Sequence, residues 1–217
     1  MTFTRAAGRR EPLLIVLSLV LGLAYLLHGG VFTLPYPGGV FLKASGILVL
    51  AVYAALARHR LVAAALTFSA IGDVMLALEP AQLPLGIAAF AVAHLIYGLL
   101  FLGRIRHSGT RGLAGLILAG GVAIAGIAML VWLQPDMGDL RVPATAYNAI
   151  IITMAVLALV SRVPWIAVIG ALLFVLSDSL IALDLFKGID PAWRGPAVWI
   201  TYVVAQVCLT LGLTRHN

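Results

Sequence analysis

Long apolar segments recur along almost the whole chain and restrict what it can fold into. Each has about 17 to 23 residues, enough for a helix to cross a hydrocarbon layer of about 30 Å. Short links with Pro, Gly or charged residues separate them. The eight segments lie near residues 12–28, 39–57, 61–78, 84–103, 112–133, 142–160, 164–186 and 195–213. The sequence therefore predicts an all-α integral membrane protein with eight transmembrane helices.

The composition supports this fold class. Of the 217 residues, 63% are hydrophobic and 10% are charged, and the mean hydropathy is +1.11. Water-soluble domains do not have such a composition. The links are too short to hold a soluble domain, so we expect residues 12–213 to form one helical domain, preceded by a cytoplasmic N-terminal tail at residues 1–11.

The first apolar segment could also be interpreted as a secretory signal, because Arg5, Arg9 and Arg10 precede it. It is long for a signal, however, and no cleavage site of small residues precedes the stretch "VFTLPYP". A transmembrane helix is the better interpretation. The lone Cys208 has no partner for a disulfide.

The basic residues indicate the orientation, because cytoplasmic links of membrane proteins are enriched in Lys and Arg. Of the 14 Lys and Arg residues, three fall on one side of the predicted bundle: Arg141, Lys187 and Arg194. Ten fall on the other side: Arg5, Arg9, Arg10, Arg58, Arg60, Arg104, Arg106, Arg111, Arg162 and Arg215. We therefore predict a bacterial inner-membrane protein with both termini in the cytoplasm. The net charge of +6 then reflects orientation and contact with anionic membrane lipids, not nucleic-acid binding.

The tryptophans fall close to predicted helix ends. Trp132, Trp193 and Trp199 lie near outer ends and Trp165 near an inner end. Indole rings favour the headgroup level of a bilayer. We interpret all four as interface anchors.

Charged residues inside the apolar segments indicate a function, because each costs about 2.5 to 3.5 kcal/mol at the centre of a membrane helix. They are Lys43, Asp73, Asp178 and Asp184. Asp184 precedes Lys187 by one helical turn and can reach water at the helix end. Asp73 and Asp178 lie deeper and are the candidate catalytic residues.

Other polar residues occur at similar depths, about 6 to 10 Å below the outer surface or somewhat deeper at 1.5 Å per residue. A single polar chamber open to the outer half would collect them: Lys43, Asp73, His94, Tyr97, Tyr147, Asn148, Asp178, Tyr202 and Gln206. The alternative for the uncharged members is a hydrogen bond between helices, and for the carboxylates an ion pair with Lys43. No metal site is expected, because there is no second deep His and no His-x-x-His spacing.

The chain also contains signs of an internal repeat. "GDVMLAL" at 72–78 aligns with "SDSLIAL" at 177–183 at an offset of 105, which also superposes Tyr97 on Tyr202 and Lys43 on Asn148. A duplication of four helices, over residues 12–106 and 112–213, would give two parallel halves. Asp73 and Asp178 would then face each other across a pseudo-twofold axis.

Five stretches in this order complete a family pattern: "SAIGDVML", "FAVAHLIYGLLF", "YNAIIITMAVLAL", "GALLFVLSDSLIAL" and "TYVVAQ". The chain resembles the YhhN-type family of transmembrane lysoplasmalogenases. The resemblance implies an eight-helix membrane hydrolase that cleaves the vinyl ether bond of a lysophospholipid substrate and releases a fatty aldehyde. It implies no cofactor.

The residues suit this chemistry independently. A vinyl ether hydrolyses by protonation at carbon to an oxocarbenium ion, which water captures, so the reaction needs an acid and a base. Two carboxylates in one apolar chamber are expected to share a proton, and can therefore supply both. Lys43 could bind the substrate phosphate, while His94, Tyr97, Tyr202 and Gln206 could orient water or the glycerol hydroxyl.

A proton-coupled transporter is the main alternative, because parallel repeats and an intramembrane acid pair also occur in carriers. Few Gly or Pro residues interrupt the helices near the acids, which argues against it. An intramembrane aspartyl protease is a further alternative, but neither acid lies in the Gly-x-Gly-Asp motif of that class, since Ile71 stands two before Asp73 and Leu176 two before Asp178. A lipid scaffold is the last.

Overall fold

The computed structural model describes residues 3–214, with side chains described from residue 12 onwards. The side chains of Arg5, Arg9 and Arg10, and Arg215, which entered the orientation argument, lie outside this range. The described part contains eight α-helices and no β-strand. The helices are α1 (Phe3–Leu27), α2 (Gly38–Leu56), α3 (Arg60–Ala77), α4 (Leu83–Ser108), α5 (Leu113–Leu133), α6 (Arg141–Val160), α7 (Trp165–Lys187) and α8 (Arg194–Thr214).

The predicted all-helical, multi-pass fold is confirmed. Seven helices of the described range, α2 to α8, are long and apolar enough to cross a membrane. The apolar part of α1, Pro12–Leu27, is shorter. The count of eight spans and the internal repeat remain predictions.

Pro, Gly and basic residues set the helix ends. Pro84 lies in the first turn of α4, where its missing N–H costs nothing. The helix ends before Gly109, whose φ is +74°. Gly188 caps α7 in the left-handed conformation that glycine adopts easily. The helix α4 runs past the predicted residue 103, because Arg104 and Arg106 continue its last turns outside the apolar segment.

Six helices form a closed ring. In this ring α2 packs against α3, α3 against α4 and α4 against α6. The ring continues with α6 against α7 and α7 against α8. The ring closes where α8 contacts α2 and α3. Outside it, α1 packs on α2 and α8, whereas α5 packs mainly on α6 and is the least buried of the seven candidate spans.

Glycines allow the closest helix contacts, between α7 and α8. A Cβ atom at Gly170 would lie 2.8 Å from the Ala205 carbonyl oxygen and 2.8 Å from the Leu209 nitrogen. At Gly212 it would lie 2.7 Å from the Ala167 nitrogen. Since backbone atoms cannot move aside as a side chain does, glycine is required there.

The links at one end of the bundle, residues 57–59, 109–112 and 161–164, carry basic side chains, and we call it the basic end. Two of these links are tied together. The backbone nitrogen of Arg111 donates to the Val160 carbonyl at 2.7 Å, and the Arg162 Nε donates to the Thr110 carbonyl at 2.8 Å. The Arg111 guanidinium also lies 4.0 Å from the centroid of the Trp165 ring. The predicted orientation places this end in the cytoplasm, and we call the other one the opposite end.

The close contact at Gly170 gives a stability prediction. Gly170→Ala should lower the stability by about 1 to 3 kcal/mol, the usual cost of overpacking. Gly120→Ala on α5 is the matched control, because nothing lies within 4 Å of its new methyl group, and it should be neutral or slightly stabilising. Thermal unfolding of the purified variants in detergent measures both. Equal midpoints would show that α7 and α8 are not packed this closely.

The orientation gives a labelling prediction. In a Cys208→Ala background, a thiol at the exposed Ile189 of the opposite end should react with an impermeant maleimide on intact cells. A thiol at the exposed His107 of the basic end should react only after the cells are opened. The reverse pattern would invert the topology.

Candidate active site

A cavity of about 410 Å³ lies between the helices and reaches the opposite end of the bundle. Most of its wall is aliphatic, with a large share from α5, including Val122, Gly126, Met129 and Leu133. Its polar lining comes from five helices and comprises Lys43, Asp73, Tyr147, Asn148, Ser177, Asp178, Ser179 and Tyr202. Asp73 and Asp178, the two carboxylates predicted to lie deepest in the membrane, therefore lie in the wall of one cavity.

Asp73 is almost completely buried, with 2% of its surface exposed. The Tyr202 hydroxyl on α8 donates a hydrogen bond of 2.6 Å to its Oδ2. The preceding Gly72 matters for this placement, because a Cβ there would lie 2.5 Å from the Phe90 ring. Phe90 in turn packs edge-on against the Tyr202 ring, so Gly72 lets α4 support the tyrosine that binds Asp73.

Asp178 is bound by a tyrosine from another helix. The Tyr147 hydroxyl on α6 donates to its Oδ2. Behind this tyrosine, the His94 Nε2 lies 2.9 Å from the Tyr147 oxygen and 3.8 Å from the Asp178 Oδ2. The Asp178 side chain is 18% exposed, whereas that of His94 is completely buried. Asp178 is thus the more accessible of the two carboxylates.

Lys43 lines the same cavity without forming a salt bridge. Within the described part of the chain, no carboxylate oxygen lies within 4.0 Å of its Nζ, which stands 5.9 Å from the centroid of the Tyr25 ring. It is still within electrostatic range of Asp73. The alternative of a direct ion pair between Lys43 and a carboxylate is not observed.

The structure divides the nine predicted site residues into two groups. Six line the cavity: Lys43, Asp73, Tyr147, Asn148, Asp178 and Tyr202. The other three, His94, Tyr97 and Gln206, are fully buried behind this wall. The Tyr97 hydroxyl donates to the Gln206 Oε1 at 2.9 Å, which joins α4 to α8.

Ion pairs surround the opposite end near the cavity. Arg194 contacts the Asp184 Oδ2 and the Asp190 Oδ1, each at 2.7 Å. Lys187 pairs with Asp136. The Asp184 side chain is 39% exposed, in agreement with its prediction as a solvated helix end.

The prediction of Trp199 as an interface anchor is wrong, and the sequence analysis did not identify Trp199 and Tyr25 as residues that line the cavity. Trp199 is only 7% exposed and donates from Nε1 to the Gly22 carbonyl at 2.7 Å, so it is not an interface anchor. It lines the cavity together with Tyr25, whose ring centroid lies 4.4 Å from its own. Its place in the cavity wall could have been predicted, because Trp199 stands three residues before Tyr202 and therefore lies on the same helical face. Nothing in the sequence distinguishes Tyr25.

The arrangement defines a class of protein. It is a multi-pass membrane protein with a pair of tyrosine-bound carboxylates in an apolar cavity, a set of groups suited to general acid–base chemistry on an apolar substrate.

Within that class, the chain belongs to the YhhN family, whose model matches residues 39–213. It is 37% identical over 158 residues to the lysoplasmalogenase TMEM86B of Homo sapiens, covering 72% of this chain and 64% of the relative. It is 36% identical over 161 residues to the lysoplasmalogenase TMEM86B of Rattus norvegicus, covering 70% of this chain and 60% of the relative. The chain thus spans less than two thirds of these curated relatives. No solved structure matches it significantly.

Proposed function

We propose that this chain is a lysoplasmalogenase that hydrolyses the vinyl ether bond of alkenyl-glycerophosphocholine or alkenyl-glycerophosphoethanolamine. The observation that carries the proposal is the placement of Asp73 and Asp178 in the wall of one cavity, each bound by a tyrosine hydroxyl. Membership of the YhhN family and the names of the curated relatives support the choice of substrate.

The proposed reaction begins with proton transfer from one carboxylic acid to the second carbon of the vinyl ether. The first carbon then becomes an oxocarbenium ion, and the other carboxylate stabilises its charge. That carboxylate next removes a proton from a water molecule while the water oxygen bonds to the first carbon. In the resulting hemiacetal, the carboxyl group that took the proton from water gives a proton to the glycerol oxygen, while the first carboxylate removes the hydroxyl proton, and the C–O bond breaks to form the aldehyde and the free glycerol hydroxyl. One water is consumed, and both carboxyl groups return to their initial states.

The cavity suits the two ends of such a substrate. Its aliphatic wall on α5 would hold the alkenyl chain, whose burial is favourable by about 0.8 kcal/mol per CH₂ group. The Lys43 ammonium, free of a salt bridge, would bind the phosphate as a point charge. Its position on α2 places the phosphate on the side of the cavity that also holds Asp73.

The same proposal includes the membrane arrangement. All eight helices cross the bacterial inner membrane, with both termini in the cytoplasm and two parallel halves of four helices. The tyrosines that bind the two carboxylates, Tyr147 and Tyr202, are not related by the offset of 105, and Tyr97 bonds Gln206, whereas its counterpart Tyr202 bonds Asp73. The halves have therefore diverged in their hydrogen bonds.

The function is tested by aldehyde release from purified protein in detergent, where no membrane gradient exists. A lysolipid with a saturated alkyl ether of the same length is the control substrate, since it has no double bond to protonate. It should bind and inhibit without being cleaved. Accumulation of intact vinyl ether lipid inside proteoliposomes, with no aldehyde, would favour the transporter instead.

Replacing either carboxylate should remove the chemistry. Asp73→Asn and Asp178→Asn keep the shape and hydrogen-bonding capacity of Asp but cannot act as acid or base. Each should lower turnover by about 10²- to 10⁴-fold, with thermal stability no lower than that of the parent. Aldehyde release at saturating substrate measures this. Turnover near the parental value in either variant would remove that Asp from the catalytic role.

Replacing the free cation should weaken substrate binding. Lys43→Met keeps an unbranched side chain only one atom shorter but removes its charge, so KM should rise by roughly tenfold while kcat changes less. Lys43→Arg retains the charge and serves as the control, with KM close to that of the parent. A fall in kcat at constant KM would instead assign Lys43 to the chemical step.

A further inference from the structure

We propose that His94 is a positioning residue for catalysis, which acts through Tyr147 to hold Asp178 as the ionised member of the carboxylate pair and leaves Asp73 as the acid. This inference rests on the proposed function for its catalytic meaning. Its structural basis is the chain of contacts from His94 Nε2 through the Tyr147 hydroxyl to Asp178 Oδ2.

The unpartnered nitrogen of His94 sets the direction of this chain. His94 is completely buried, and its Nδ1 has no hydrogen-bond partner among the described residues. A buried N–H without an acceptor is unfavourable, and orphaned N–H groups are rarer in proteins than orphaned acceptors. The proton of the neutral ring therefore belongs on Nε2, where the Tyr147 oxygen lies 2.9 Å away.

The direction of the hydrogen bond from His94 determines the direction of the hydrogen bond between Tyr147 and Asp178. Because Nε2–H donates to the Tyr147 oxygen, the one proton of that hydroxyl is available for Asp178. The reverse chain, from a protonated Asp178 through Tyr147 to Nε2, would require the ring proton on the unpartnered Nδ1. Asp178 is therefore an acceptor, and a donor that itself accepts a hydrogen bond is a stronger donor.

The other carboxylate has weaker support. Tyr202 donates to Asp73, and the Gln206 side chain interacts with Tyr202, but its amide nitrogen makes no hydrogen bond of good geometry with the described residues. Asp73 is also the more buried of the two, at 2% exposed against 18% for the Asp178 side chain. Lys43 is within range of Asp73 but makes no salt bridge with it. The pair is thus asymmetric, with the anion favoured at Asp178, the more accessible carboxylate.

This asymmetry assigns the steps of the proposed reaction. Asp73 protonates the second carbon of the vinyl ether. Asp178 stabilises the oxocarbenium ion and removes the proton from the attacking water. Water therefore enters from the exposed side of the cavity, where Asp178 lies.

A double-mutant cycle tests whether His94 acts through Tyr147. His94→Leu and Tyr147→Phe should each lower kcat by about tenfold to a hundredfold, the value of a hydrogen bond to a charged group, with little change in KM. The double variant should be no worse than Tyr147→Phe alone, because the same chain is already broken. His94→Gln, whose amide places a donor near the position of Nε2, should restore most of the turnover.

Gln206→Leu is the matched control. Gln206 is as buried as His94 and bonds Tyr97, but it does not touch Tyr147 or Asp178. In the double variant Gln206→Leu/Tyr147→Phe, the fold-decrease in kcat should equal the product of the two single fold-decreases, as expected for independent sites. If the effects of His94→Leu and Tyr147→Phe also multiply, or if His94→Gln is as poor as His94→Leu while folded, His94 does not act through Tyr147.

An infrared measurement tests the assignment without activity. In purified protein at neutral pH, the C=O stretch of a protonated carboxyl group should disappear in Asp73→Asn and persist in Asp178→Asn. His94→Leu should shift the carboxylate band that Asp178→Asn removes, whereas Gln206→Leu should not. Loss of the protonated band in Asp178→Asn would overturn the assignment. A parent that releases no aldehyde but shows this spectrum would refute the proposed function and leave the hydrogen-bond chain supported.

Discussion

The site depends on the cost of placing a carboxyl group among lipid-soluble helices. Such a group must find hydrogen bonds inside the protein, because no water is available in the hydrocarbon region. Here each carboxylate accepts a hydrogen bond from a tyrosine hydroxyl on another helix. Tyr202 donates to Asp73, and Tyr147 donates to Asp178. These bonds join α3 to α8 and α7 to α6, so the groups that would carry out the chemistry also connect the ring of helices around the cavity.

Small residues make those bonds possible. Gly72 lets the Phe90 ring lie against α3, and Phe90 and Phe174 support the Tyr202 ring edge-on. Gly170 lets α8 approach α7 closely at its buried face. Since hydrophobic burial gives little preference for one helix contact over another within lipid, such close packing determines how the helices are rotated. The position of each hydroxyl then follows from that rotation.

The sequence predicted the helices, their order and the two acids, because all three follow from the cost of polar groups in lipid. Counting residues from a helix end gives the depth of a side chain but not the direction in which it points. His94 was therefore predicted to line the chamber, yet this side chain lies behind Tyr147 and not in the cavity wall. Trp199 was misplaced for the same reason: it lies near a helix end but faces inward, under Tyr25. The pairing of each acid with its tyrosine depends on rotation and could not be read from spacing.

The tie between the links at the basic end has a mechanical consequence. Arg111 and Arg162 hold residues 109–112 and 161–164 together through backbone carbonyls, and the Trp165 ring lies against the Arg111 guanidinium. The link between α4 and α5 and the link between α6 and α7 are thus fixed to each other at this end. The cavity reaches the opposite end and lies beside α5, the least buried of the seven candidate spans. Under the proposed function, a cleaved lipid would leave in two directions, the aldehyde sideways into the bilayer past α5 and the polar head group outwards into water.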